Sequence, residues 1–130
     1  MKIVVAYDGS EYAKRALYFV LKLIKKDDEI SLVTVIKETP SSPEQKTIKE
    51  REEAIEKHKE IIKELEGYKV NTAIIEGSDV ADTIIEYCNK INCDLIVTGS
   101  RGLTGLKKTV LGSVSSSLVG KSKVPVLVVK

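Results

Sequence analysis

The chain has 130 residues, of which 42% are hydrophobic and 31% are charged, and its 21 basic and 19 acidic residues leave a formal net charge of +2. This length suits one domain over residues 1–130, and the ordinary apolar fraction excludes an intrinsically disordered chain. The charge balance predicts no nucleic-acid partner and no membrane surface, and no apolar run approaches the roughly 18 residues that span a bilayer. The N-terminal residues lack the layout of a signal peptide, so we expect a soluble, cytoplasmic protein.

Five short segments rich in Val and Ile predict the strands of a sheet. They cover residues 3–7, 30–36, 70–75, 95–98 and 124–129. The first, fourth and fifth are almost continuously apolar, which is typical of parallel strands buried on both faces.

Between these segments, apolar residues recur at helical spacing and predict four helices. The stripes are Ala13, Ala16, Leu17, Val20, Leu21 and Ile24; Ile55, Ile61, Ile62 and Leu65; Ala81, Ile84, Ile85, Cys88 and Ile91; and the weaker pair Val114 and Leu118. Strands that alternate with helices predict a parallel sheet covered by helices on both faces.

Capping residues support the helix boundaries. Ser10 suits the N-cap of the first helix, and either Ser78 or Asp79 suits that of the third. The run Ser42-Pro43-Glu44-Gln45 predicts Ser42 as an N-cap with Pro43 at the first helical position, a capping-box pattern. Gly67 predicts a left-handed end to the second helix.

The two cysteines and the single histidine suit ordinary structural roles. Cys88 and Cys93 form no CxxC pattern, so we expect reduced structural thiols rather than a disulfide. His58 lies on or beside the apolar stripe of the second helix, which favours a packed side chain over a catalytic one. The spacing of these residues offers no zinc site.

The chemically distinctive residues follow the first and fourth strands, and ligands of open α/β sheets bind beyond the carboxyl ends of strands. Asp8-Gly9-Ser10 follows the first strand, while four of the eight glycines lie between positions 99 and 112. Glycine lets backbone amides approach a ligand, and the helix that begins near Ser113 adds unpaired N–H groups. The hydroxyl and guanidinium groups that suit phosphate oxygens are those of Ser100, Arg101, Thr104, Ser113 and Ser115.

The alternative to anion binding, which the spacing favours less, is a purely structural role for the glycine-rich stretch as a long loop that ends in an ordinary helix cap. Lys107 and Lys108 within it either screen phosphates or keep the loop soluble. Asp8 could act as a general base or a metal ligand, but we favour a role in binding, which requires no catalysis. Neither a P-loop nor a G-x-G-x-x-G dinucleotide motif is present in the sequence.

The spacing Gly99-x2-Gly102-x9-Gly112-Ser113 resembles the ATP-binding signature of the universal stress protein family, G-x2-G-x9-G-[ST]. The opening segment Ile3-Val4-Val5-Ala6-Tyr7-Asp8-Gly9-Ser10 and the closing segment Val124-Pro125-Val126-Leu127-Val128-Val129 are similar to those of the family as well. The resemblance covers essentially the whole chain. It implies a single-domain, three-layer α/β/α fold of the Rossmann-like, adenine-nucleotide α-hydrolase type, with a five-stranded parallel sheet in the order 3-2-1-4-5.

The resemblance also implies a binding site for ATP, with Mg²⁺ accompanying the phosphates, and we expect no catalytic residue. Residues along the nucleoside would be Ala6, Tyr7 and Asp8, with the backbone of Val35 on the adenine edge. Residues around the ribose and phosphates would be Gly99, Ser100, Arg101, Gly102, Leu103, Thr104, Gly105, Gly112, Ser113, Val114 and Ser115. Two features depart from the family pattern: Thr98 stands where Met is common, and the loop with Pro40 and Pro43 is short.

Three functions are compatible with this resemblance. The first is a homodimeric regulatory or stress-response switch that binds adenine nucleotides, dimerises through the strand from Val124 to Val129 and signals to an unidentified protein partner. The second is a slow ATPase, or a nucleotidyl-transferring relative, that uses the same site, although no residue pair stands out as a base and a water positioner. The third is a dimerisation or signalling module without nucleotide, which the intact glycine motif disfavours.

Overall fold

The computed structural model describes residues 1–41, 43–101 and 111–130, and its elements alternate between strand and helix as predicted. The strands are β1 (Lys2–Ala6), β2 (Glu29–Lys37), β3 (Lys69–Gly77), β4 (Leu95–Gly99) and β5 (Val126–Val129). The helices are α1 (Glu11–Leu23), α2 (Glu44–Ile62), α3 (Val80–Ile91) and α4 (Ser113–Lys121), and a 3₁₀ turn (Lys63–Leu65) extends α2. Within these ranges no helix combines the length and the apolar character needed to cross a bilayer.

The five strands form one parallel sheet in the order β3-β2-β1-β4-β5, which confirms the order implied by the family resemblance. β1 lies at the centre, where Val5 is opposite Leu32 on one side and Val97 on the other. The chain adds β2 and β3 to one side of β1 and then crosses to the other side for β4. This reversal opens a crevice at the carboxyl ends of β1 and β4.

Two apolar layers cover the sheet. Ile3 and Val5 belong to the layer under α1 and α2, whereas Val4 belongs to the layer under α3 and α4. All three side chains are at most 1% exposed, because a central strand of a parallel sheet is covered on both faces.

β5 corrects one prediction. Its apolar sequence predicts a strand buried on both faces, but all four of its residues are only half-buried; its place at the sheet edge is the one that the order 3-2-1-4-5 implies. Its apolar sequence is that of a buried strand, although β4 pairs with it on one side only.

The caps follow the sequence, with one exception. The Ser10 hydroxyl accepts a hydrogen bond from Ala13 N at 3.1 Å, and Asp79 rather than Ser78 caps α3. Pro43 is the N-cap of α2 and not its first helical residue, because its ψ of 137° is extended, so that part of the capping-box prediction is wrong. Ser42 lies outside the described residues. Gly67 has the left-handed φ of 92° that was predicted, but it follows the 3₁₀ turn rather than α2 itself.

The cysteines contradict the prediction of two reduced thiols, because a disulfide joins Cys88 to Cys93. Asn92 ends α3 in the left-handed conformation, with a φ of 56°, and turns the chain back on the helix. This turn brings the two Cα atoms to 4.9 Å, a separation that disulfides commonly span. Spacing along the sequence does not reveal a left-handed turn of this kind.

Candidate functional site

A cavity of about 210 Å³ lies at the carboxyl ends of β1, β2 and β4 and reaches the start of α3 and α4. This volume is several times the roughly 30 Å³ that one water molecule takes up in the liquid, so the cavity can hold an organic ligand. The lining residues are Ala6, Tyr7, Asp8, Ala13, Val33, Thr34, Val35, Val80, Ile84, Thr98, Gly99, Arg101, Gly112, Ser113, Val114 and Ser115.

One wall of the cavity is apolar. Val33 and Val35 are two residues apart on one face of β2, and Val80 and Ile84 are one helical turn apart at the start of α3. Because these side chains belong to the layer between the sheet and α3, they present hydrocarbon to whatever enters the cavity. Such a wall suits the flat face of an aromatic heterocycle.

The N-terminus of α4 forms another part of the cavity lining, with Gly112 as its N-cap. The first amides of a helix have no partner within it, and they carry a partial positive charge. Ser100 keeps this end against β4, because its carbonyl accepts hydrogen bonds from Gly112 N at 2.7 Å and from Ser115 Oγ at 3.2 Å. Ser113 is exposed at the start of the helix. This arrangement can accept an anion.

Close packing, and not a positive φ, requires the glycine at position 99 of the predicted loop. A Cβ on Gly99 would lie 2.8 Å from the carbonyl carbon and oxygen of Tyr12, so only glycine lets β4 approach α1 this closely. A Cβ on Gly112 would lie 3.4 Å from Ser100 O and from the Cα of Arg101, which is ordinary van der Waals contact. Neither glycine has a positive φ.

Arg101 extends the polar end of the cavity. Its Nη1 donates to the Tyr12 hydroxyl at 3.2 Å, and its guanidinium carbon is 5.5 Å from the centre of the Tyr12 ring, as is that of Arg15. Its Nε is buried and has no hydrogen-bond partner among residues 1–41, 43–101 and 111–130. A buried N–H donor without a partner is costly, so an incoming acceptor would satisfy it.

Asp8 lies in a tight turn after β1. Its Oδ1 accepts a hydrogen bond from Ser10 N at 2.9 Å, and the next residue, Gly9, has a φ of 81°. Lys57 reaches over this turn from α2, and its Nζ donates to the main-chain oxygen of Asp8 at 3.3 Å. The turn thereby presents Asp8 to the cavity.

Thr34 and His58 connect the cavity to α2. The Thr34 hydroxyl donates to the carbonyl oxygen of Tyr7, and His58 Nε2 lies 2.7 Å from the same hydroxyl oxygen. His58 is 4% exposed, which confirms the predicted packed histidine, and its burial lowers the pKa of the imidazole. Burial also raises the pKa of Tyr7 to about 12, so both rings are neutral near pH 7.

The structure brings ten of the predicted residues together around the cavity: Ala6, Tyr7, Asp8, Val35, Gly99, Arg101, Gly112, Ser113, Val114 and Ser115. Ser100 lies behind the lining and acts through its carbonyl. Gly102, Leu103, Thr104 and Gly105 lie outside the described residues, as do Lys107 and Lys108.

Sequence reasoning missed several lining residues, chiefly Thr34, Val80 and Ile84, as well as Tyr12 beside Arg101. Val80 and Ile84 could have been found, because they are i and i+4 at the start of an amphipathic helix that follows a strand. Within the described part of the chain, no group of three His, Cys, Asp or Glu side chains could hold a metal ion.

Comparison with known proteins gives a consistent family. The model of the universal stress protein family matches residues 1–130. The stress response protein NhaX of Bacillus subtilis is 34% identical over 163 residues, which cover 99% of this chain and 97% of that protein. The solved structure of the hypothetical protein MJ0577 of Methanocaldococcus jannaschii has a TM-score of 0.89 and 38% identity, over 99% of this chain and 94% of that one.

Two further structures share the fold and contain an adenine nucleotide. A universal stress protein of Archaeoglobus fulgidus was solved with dAMP, with a TM-score of 0.74, 24% identity and coverage of 100% of this chain and 98% of that one. Another universal stress protein was solved with cAMP, with a TM-score of 0.68, 23% identity and coverage of 100% and 96%.

Proposed function

The chain belongs to the universal stress protein family, and we propose that it is a switch that binds an adenine nucleotide in the cavity at the carboxyl ends of β1, β2 and β4. A single observation carries this proposal: one cavity joins an apolar wall to the N-terminus of a helix, with a buried guanidinium N–H beside it. A nucleotide has two parts that match these features: an aromatic base suits the apolar wall, and an anionic phosphate chain suits the helix N-terminus.

The base would lie on the apolar wall. Val35 would hold the adenine edge through its backbone, and Val80 and Ile84 would cover the ring from α3. Ala6 and Tyr7 would run along the nucleoside, and Asp8 would approach the adenine or the ribose. The Asp8 turn supports this role, because it already directs the carboxylate-bearing residue toward the cavity.

The phosphates would lie at the start of α4. The amides of Ser113, Val114 and Ser115 are first-turn donors, and the orphaned Arg101 Nε supplies a charged one. Gly112 lines this end of the cavity without a side chain of its own. Ser100 and residues 102–105 follow β4 along the chain and enter the proposal on the strength of the sequence motif.

Mg²⁺ would accompany a triphosphate here. Magnesium prefers oxygen ligands and keeps several waters, and the exposed Ser113 hydroxyl is the kind of oxygen ligand it accepts. Since the described residues offer no cluster of three ligating side chains, the phosphate oxygens would supply most of the coordination. The metal would neutralise the charge of the phosphate chain.

The dAMP and cAMP complexes show that two other proteins of this fold were solved with ligands that contain adenine. At 23% and 24% identity these likenesses establish the fold alone, so the ligand class rests on the cavity residues of this chain.

Binding without turnover is the better account of the cavity. Hydrolysis requires a group that positions or deprotonates water, and Asp8 is the carboxylate among the described lining residues. Its Oδ1 accepts a hydrogen bond from Ser10 N and shapes the turn, which suits a structural and binding role for Asp8. A slow ATPase at this site remains the second candidate.

The homodimer belongs to this proposal as well. β5 is a half-buried apolar edge strand, and such edges are usually covered in native proteins. Pairing of β5 with the same strand of a second copy would cover it, and the switch would then act as a cytoplasmic homodimer.

Titration calorimetry with MgATP tests the binding site. We expect wild-type protein to bind one ATP per chain and Gly112→Val to lose at least tenfold in affinity, because it adds a branched side chain to a residue that lines the phosphate end. Gly120→Val is the matched control, since nothing lies within 4 Å of a Cβ at that position of the same helix, and it should bind like wild type. Wild-type protein that binds no adenine nucleotide would overturn the proposal.

A further inference from the structure

We propose that His58 is a positioning residue for the nucleotide site: its imidazole orients the Thr34 hydroxyl, which in turn holds the end of β1 next to Asp8. This inference rests on the proposed function, because it concerns how that same site keeps its shape. Of these residues, Thr34 and Asp8 line the cavity, whereas His58 lies behind it.

The position of His58 on α2 is unusual for a polar residue. The buried positions of α2 are Ala54, His58 and Ile61, which are spaced i, i+4 and i+7 along one face. An apolar side chain would satisfy the packing of this stripe. A buried imidazole instead requires a hydrogen-bond partner, and the partner that the structure provides is a residue of the cavity wall.

The hydrogen bonds run in one direction. The carbonyl oxygen of Tyr7 can only accept, so the single proton of the Thr34 hydroxyl is used for that bond. The hydroxyl oxygen must then accept from His58 Nε2, 2.7 Å away, and Nε2 therefore carries the proton. The chain of contacts is His58 to Thr34 to Tyr7.

The second ring nitrogen of His58 also favours a proton on Nε2. His58 Nδ1 is buried and has no hydrogen-bond partner in the described part of the chain. A proton on Nδ1 would therefore have no acceptor there, which favours the neutral ring with its proton on Nε2. The Tyr7 ring, with its centre 6.1 Å from that of the imidazole, packs beside it.

The end of β1 needs this support because the regular ladder stops there. Tyr7 N donates to Val33 O at 2.8 Å, and the following residue, Asp8, already belongs to the turn. Two residues of α2 hold the end of β1: Lys57 donates to the Asp8 carbonyl, and His58 acts through the Thr34 hydroxyl. Loss of the His58 contact would free the Thr34 hydroxyl to rotate and would loosen the residue before Asp8.

Binding of MgATP to variants at the two positions tests the inference. We expect His58→Leu, which preserves an apolar packing group but removes the donor, to weaken ATP binding about fivefold, the scale of one hydrogen bond. His58→Gln retains an amide donor and should restore most of the affinity. The matched pair at the other position is Thr34→Val, which removes the hydroxyl, and Thr34→Ser, which keeps it.

The double variant separates a shared pathway from two independent effects. If His58 acts through Thr34, the double variant His58→Leu/Thr34→Val should bind ATP as Thr34→Val does. Multiplied losses, or wild-type affinity of a folded His58→Leu, would overturn the inference. If wild-type protein binds no ATP, the proposed function fails, and that result is distinct from a failure confined to the variants.

Imidazole ¹⁵N NMR provides a test that requires neither a variant nor a nucleotide. Because the sequence has one histidine, the spectrum contains one pair of ring nitrogens. We expect the neutral ring with its proton on Nε2 at pH 7. A ring protonated on Nδ1 would contradict the direction of the hydrogen bonds and with it the inference.

Discussion

The carboxyl ends of β1 and β4 are neighbours in the sheet and both line the cavity, yet different interactions hold them. At the end of β1, side chains from elsewhere in the chain hold the backbone: Lys57 contacts Asp8, and His58 reaches Tyr7 through Thr34. At the end of β4, the contacts are made mainly by the backbone.

The β4 end shows this in three contacts. Gly99 packs against the main chain of Tyr12, Ser100 N donates to Val129 O at 2.8 Å, and Ser100 O accepts from Gly112 N. Under the proposed function the difference has a chemical reason, since a phosphate needs backbone amides at close range whereas a nucleoside needs positioned side chains and carbonyls. Substitutions at the two ends should therefore have different consequences.

The largest expected effect is that of Gly99→Ala on stability. Its Cβ would lie 2.8 Å from the carbonyl carbon and oxygen of Tyr12, and main-chain atoms cannot rotate away from it. We expect the free energy of unfolding to fall by about 3 kcal/mol, measured by urea denaturation. Gly120→Ala, with no atom within 4 Å of its Cβ, is the control and should be at least as stable as wild type. A Gly99→Ala protein with wild-type stability would refute the tight backbone contact at β4.

Arg101→Ala should weaken ATP binding about tenfold, because a charged donor to the phosphates is lost. Arg15→Ala is the matched control: Arg15 also lies 5.5 Å from the centre of the Tyr12 ring, but it does not line the cavity. Calorimetry should find the loss in Arg101→Ala alone. Equal losses in both variants would mean that Tyr12, and not the phosphate end, is what the arginines support.

The smallest expected effect is the pH dependence at the β1 end. Burial lowers the pKa of His58 in the folded protein below the ordinary value of about 6.5 that it regains on unfolding. Between these two pKa values the unfolded chain binds a proton that the folded protein does not, so stability falls as the pH drops below about 6.5. Above that pH the ring is neutral in both states and contributes no slope.

Urea unfolding between pH 7.5 and pH 5 measures this effect against His58→Gln, which has no imidazole to titrate. The difference in unfolding free energy between the two proteins should shift against wild type as the pH falls. A shift in favour of wild type would mean that the folded protein stabilises the charged ring, contrary to its buried setting.

The alternation of strands and helices could be predicted from the sequence because buried strands and amphipathic helices differ in apolar period. The β4 end of the site was also accessible, since Gly99, Gly112 and Ser113 form a local motif at fixed spacing. Close backbone contacts can be recognised in a sequence because they require glycine.

The β1 end was accessible only in part. Asp8 could be recognised as a candidate because it directly follows a strand. The contacts behind it join Tyr7 to Thr34, 27 residues away, and Thr34 to His58, 24 residues away. Each of these residue types is common, and only the packing of α2 against the sheet brings them together. The disulfide between Cys88 and Cys93 and the half-buried state of β5 escaped prediction for the same reason: both depend on how elements turn and pair in space.

The central claim is that one cavity binds both halves of an adenine nucleotide. Titration calorimetry of wild-type protein with MgATP, adenosine and inorganic triphosphate tests it most directly. We expect ATP to bind at one per chain, and adenosine and triphosphate each to bind more weakly and to compete with ATP. ATP that binds no more tightly than triphosphate alone, or that fails to bind, would contradict the account.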